Sequence, residues 1–133
     1  MIDKEAEILG RKVKADQALE QAAAALEQIL KATARDLDPF PSFFESPFIK
    51  AVEAEPGGAA RSDIGCVVVC PDGELYEYTF TMSVAGPFAD FSRKEETKKL
   101  DLPPRDYIPY AYNAIAELTR LIMERRRQPR PTA

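Results

Sequence analysis

Few residues in this chain can do covalent or acid–base chemistry. There are two cysteines and no histidine. Cys66 and Cys70 stand four apart in an apolar run, Ile64-Gly-Cys-Val-Val-Val-Cys. On one strand they face the same side about 13 Å apart, too far to bridge each other. An intersubunit disulfide stays geometrically open, and two reduced thiols packed in a core is the simpler reading. No base stands near Cys66 in sequence to activate it. The lack of histidine removes the commonest metal ligand and the commonest neutral-pH base. It also excludes histidine-based triads and argues against a closed zinc site unless a second chain adds ligands. Gly57-Gly58 lacks the lysine and the strand-to-helix setting of a phosphate loop. Glu95 and Glu96, read as helical, point about 100° apart and make a poor dyad. The expectation is a non-enzyme with no cofactor and no metal.

The aromatic residues leave more room. Tyr76, Tyr78 and Tyr112 could line a small-ligand pocket between a sheet and a helix, or could simply pack their rings and bond their hydroxyls. Phe40, Phe43, Phe44 and Phe48 lie close together among Pro39, Pro41 and Pro47. They read either as a plug over the core or as anchors for another protein chain. Arg125, Arg126, Arg127 and Arg130 cluster at the C-terminal end. They lack a recognition motif and interleaved aromatics, so nucleic acid is not the expected partner.

The elements that carry these residues follow from periodicity. Residues 2–37 predict one long helix. Leu19, Ala23, Leu26, Leu30, Thr33 and Leu37 form one stripe, and Ile8, Ala15, Ala22 and Ile29 a second beside it. A helix of about 35 residues is roughly 50 Å long, more than a domain of this size covers. It must break, for instance near Gly10, or pack its excess on a second copy or a partner through Leu19, Leu26 and Leu30. Asp38-Pro39-Phe40-Pro41 stops it. Ser46-Pro47 predicts a short helix over Phe48–Glu55.

Ile64–Val84 predicts a β-hairpin turning on Pro71-Asp72-Gly73, with Gly73 at positive φ. Pairing Cys70 with Glu74 sets Val68 opposite Tyr76, Cys66 opposite Tyr78 and Ile64 opposite Phe80. Tyr76, Tyr78, Phe80, Met82 and Val84 share one face. Phe88–Phe91 could add a third short strand. Ser92-Arg93-Lys94-Glu95 matches a capping box and predicts a short helix to Leu100. A last helix begins between Asp106 and Tyr110 and buries Ile108, Tyr112, Ile115, Leu118 or Thr119, and Ile122, with Ala111 and Met123 widening that face.

The predicted fold is α+β: a long N-terminal helix, a central antiparallel β-hairpin with room for a third strand, and a C-terminal helix, packed in two layers. The hairpin's Tyr/Phe face is expected to meet the helices. Residues 1–127 form one domain and 128–133 a disordered tail. The formal charge is -4, no stretch is apolar enough to span a bilayer, and no secretory leader is apparent, so the cytoplasm is the expected location. The expected function is protein binding by a homodimeric adaptor, chaperone or regulator. The alternative is a ligand-binding domain using the Tyr-rich sheet face.

Overall fold

The computed structural model describes residues 3–43, 48–56, 61, 63–85 and 90–128. Helix α1 spans Lys4–Asp36 without a break. Asp3 caps it, its carboxylate accepting the Glu5 N–H at 3.1 Å. Gly10 does not interrupt it, because strong helix formers such as Leu9, Arg11 and Lys12 flank that single glycine. Four antiparallel strands follow: β1 Val52–Glu53, β2 Cys66–Val69, β3 Leu75–Ala85 and β4 Asp90–Lys99, paired in that order. Helix α2, Pro104–Arg127, closes the chain and packs against α1.

The hairpin forms as its sequence directs. Val68 pairs with Tyr76 and Cys66 with Tyr78. Gly73 has φ +77°, and its N–H donates to the Cys70 carbonyl at 2.9 Å. Asp72 accepts the Glu74 N–H at 2.9 Å and the Tyr76 hydroxyl at 2.5 Å, fixing the turn from its side chain. Pairing stops at Cys66, so Ile64 does not reach Phe80. Ile64 packs instead on the cluster beneath the helices.

The two sheet faces are used opposite to expectation. Val67, Val69 and Leu75 face the helices and join Leu30, Ala34, Leu37, Tyr110, Ala111, Ala114 and Leu118 in the main core. The Tyr face looks away. Val68, Tyr78, Cys66 and Tyr76 pack with Phe43, Ile49 and Ala51 from the segment after α1. The reason is shape: compact β-branched residues let two helices approach the sheet closely, while the rings suit a thin extended cover.

That cover replaces the short helix expected over 48–55. The Phe43 N–H donates to the Ile49 carbonyl at 2.8 Å and the Ala51 N–H to the Pro41 carbonyl at 3.1 Å. Val52–Glu53 then completes the edge beside β2. The helix expected from the capping box is also a strand. Residues 92–100 carry no apolar helical stripe, and β3 offers a long edge of aromatic and β-branched residues. Register with β3 sets Lys98 opposite Glu77, Glu95 opposite Phe80 and Lys94 opposite Thr81. The charged face of β4 also blunts the sheet's outer edge.

α2 starts at Pro104, earlier than expected, with proline in its first turn. Its buried face matches the predicted one at Ala111, Ile115, Leu118 and Ile122 and departs from it at Tyr112 and Met123. Tyr110, Ala111, Ala114 and Leu118 are buried, whereas Tyr112 is exposed. The Tyr110 hydroxyl accepts the Arg61 N–H at 2.9 Å, which lets a ring with a polar tip occupy the core. Among the described residues no helix is long and apolar enough to cross a membrane.

Candidate interaction surfaces

Two projections leave the packed body. The first is the N-terminal half of α1, where residues 3–22 are exposed throughout. The core-facing stripe begins at Ala23 and Leu26 and is fully buried only at Leu30 and Ala34. Upstream, Ile8, Leu9, Val13 and Leu19 remain exposed, Leu9 at 59% and Val13 at 53%. The second projection is the outer part of the β3–β4 ribbon. β2 accompanies β3 only from Leu75 to Tyr78, while β4 follows it to Ala85. Phe80 and Met82 on that stretch are exposed.

The residues expected to bind a partner therefore divide. Leu30 lies in the core, Leu26 is half-buried against it, and Leu19 is exposed on the projecting half of α1. Phe40 is buried with the helices. Phe43 is buried on the other sheet face, its ring meeting that of Tyr78 edge-on at 4.8 Å. Phe48 is 91% exposed, and Phe44 lies outside the described residues.

The three candidate ligand-binding tyrosines do not converge. Tyr76 and Tyr78 are neighbours on the outer sheet face, and Tyr112 is on α2, which covers the inner face. The hydrogen bond to Asp72, with burial, pushes the Tyr76 hydroxyl up to about 12, so it remains a neutral donor.

A groove lies elsewhere, between α1 and the β4–α2 connection. It encloses about 690 Å³, within the usual range for ligand sites. Ala23 and Ala24 stand beside Leu102, Pro104 and Tyr107 in it, and Glu20, Glu27, Glu74 and Asp101 outnumber Lys99. Burial first, then Glu27 and Glu74, pushes Tyr107 up to about 12. Lys31 spans this region, 3.0 Å from Glu27 and 3.3 Å from Glu74, tying α1 to the hairpin turn. The sequence signal was present in the paired alanines, but the groove's other wall depends on β4 and could not be placed.

A second cluster also escaped the sequence reading. One ligand atom from each of Glu53, Glu55 and Cys66 lies within 4.8 Å of the others. This donor set could hold a borderline-soft divalent cation. Burial, and then the two carboxylates, pushes the Cys66 thiol up to about 11, so a cation would first have to displace its proton. The clue was Glu-x-Glu, which places both acids on one side of an extended segment; the helix expected there hid it. Cys70, half-buried, is pushed up to about 12 by that burial first and then by Asp72. Neither thiol has the environment of a nucleophile.

No protein-family model matches the chain, and no curated protein or solved structure shows significant similarity to it.

Proposed function

We propose that this chain is a small non-catalytic protein-binding domain, an adaptor, chaperone or regulator, that works as a homodimer. The observation that carries this reading is the unsupported first half of α1, with four large apolar side chains over about 28 Å of helix. The free thiols of Cys66 and Cys70 fit a reducing compartment such as the cytoplasm.

Co-expression of tagged and untagged copies tests the reading. The tagged chain should retain the untagged one through purification, and Leu9→Asp with Val13→Asp should abolish retention while near-ultraviolet circular dichroism still shows a packed core. No retention of the wild type, or equal retention of the variant, contradicts it.

The groove beside Tyr107 favours a second reading, a small-ligand domain. The excess of carboxylates there selects a cationic, partly apolar ligand. An amphipathic amine should raise the thermal midpoint of the wild type and not that of Ala24→Trp, which fills the groove. Equal shifts in both would dismiss this site.

A further inference from the structure

We infer that two copies of this chain pair through the first four turns of α1 in antiparallel sense, selected by charge. This rests on the homodimer reading above and specifies its geometry. The projecting segment carries its charge in blocks. Asp3, Glu5 and Glu7 make an acidic tip in which Lys4 is the only base, and Arg11, Lys12 and Lys14 make a basic belt one to two turns further on. Asp16 follows the belt and is bound to Lys12 at 2.6 Å. Lys4 lies 3.6 Å from Glu7. Among the described residues Glu5, Arg11 and Lys14 have no ion-pair partner. The helix thus leaves an acid near its tip and two bases on its belt unmatched.

A second copy supplies the match in one orientation. Parallel pairing sets tip against tip and belt against belt, which is repulsive at every level. Antiparallel pairing lays each acidic tip along the other copy's basic belt, and the two-fold axis repeats the contact. The apolar residues fall where that arrangement needs them. Ala6, Leu9 and Val13 follow one another at spacings of three and four, so they share a face. That face lies at the tip and belt, and the exposed Leu9 and Val13 would form the seam, with Ala6 permitting close approach. Glu5 and Lys12 lie on one side of the seam and Glu7 and Lys14 on the other, where they would set direction as flanking charges do in paired helices, whereas Arg11 points away from it. The core stripe of α1 is not required, so each copy keeps its own packed body, and the two bodies lie at opposite ends of the paired segment.

Charge reversal tests this pairing. All the residues involved are exposed on the projecting half of α1, so the packed core should keep its near-ultraviolet circular dichroism in both variants. One variant carries Glu5→Lys and Glu7→Lys, the other Lys12→Glu and Lys14→Glu. In sedimentation velocity each alone should self-associate at least about tenfold more weakly than the wild type, because like blocks then face each other. An equimolar mixture should recover a dimer containing one copy of each. If the wild type is dimeric and both variants remain equally dimeric, the pairing is wrong while the homodimer stands. If both variants weaken and the mixture fails to recover, charge does not select the pairing and the inference is wrong. A monomeric wild type removes the pairing and the homodimer together.

Discussion

Replacing Gly73 probes the joint between the hairpin turn and α1. A side chain there meets two obstacles. The residue sits at φ +77°, where a β-branched residue is strained by about 1–3 kcal/mol. A Cβ would also fall 2.6 Å from the Lys31 Cα and 2.9 Å from its Cγ. The Cα belongs to the helix backbone and cannot swing aside, so the turn must lift or α1 must shift. Such overpacking costs about 1–3 kcal/mol. Gly73→Val should therefore lose about 2–6 kcal/mol, a large share of the roughly 5–15 kcal/mol of a typical domain. Urea unfolding followed by far-ultraviolet circular dichroism, at fixed protein concentration, reads the loss as a midpoint lowered by about 1–4 M. Gly73→Asn separates the causes: asparagine tolerates the left-handed region, so what it loses reflects the Lys31 contact. Gly65→Ala is the control. Its Cβ would lie 3.7 Å from a Glu77 oxygen, an ordinary contact, and the change should stay within about 0.5 kcal/mol. An unchanged midpoint for Gly73→Val refutes the argument, as does a larger loss at Gly65 than at Gly73.

Leu30→Ala should cost roughly 2–5 kcal/mol of folding stability, because Leu30 is completely buried; Leu19→Ala should leave the unfolding midpoint of the isolated chain nearly unchanged. Phe43→Ala should cost about 3–5 kcal/mol by removing the ring against Tyr78, whereas Phe48→Ala should not lower thermal stability, and the reverse order in a melting experiment would place the aromatic cover wrongly. Raised thiol values make the folded form hold its protons more tightly than the unfolded one, so stability is complete below pH 9 and falls as pH rises through about 11 for Cys66 and about 12 for Cys70. Folded protein at pH 8 should accordingly alkylate with iodoacetamide far more slowly than urea-unfolded protein, and equal rates would contradict the burial of both thiols.

The sequence revealed elements with strong local signals and missed those decided by tertiary partners. α1 was legible from Leu19, Leu26 and Leu30 and the alanines between them, and the hairpin from Pro71-Asp72-Gly73. The Asp90–Lys99 strand was not. Its capping-box pattern and charges suit a helix, and what makes it a strand is the open edge of β3 beside it. Val52–Glu53 was hidden for a similar reason, since a strand that short forms only where β2 offers it an edge. The direction of the Tyr face depends on which side two helices occupy, which no single strand encodes. The candidate surfaces show the same division. The excess length of α1 was readable from its residue count, but which leucines it leaves exposed depends on where the domain ends beneath it. Glu53, Glu55 and Cys66 come together only through pairing of β1 with β2.

Sedimentation equilibrium of the purified chain across a range of micromolar concentrations tests the central claim most directly. The mass should tend to twice 14.8 kDa as concentration rises and return to that of a single chain for the variant carrying both Leu9→Asp and Val13→Asp. A mass of 14.8 kDa at every concentration for the wild type would contradict it.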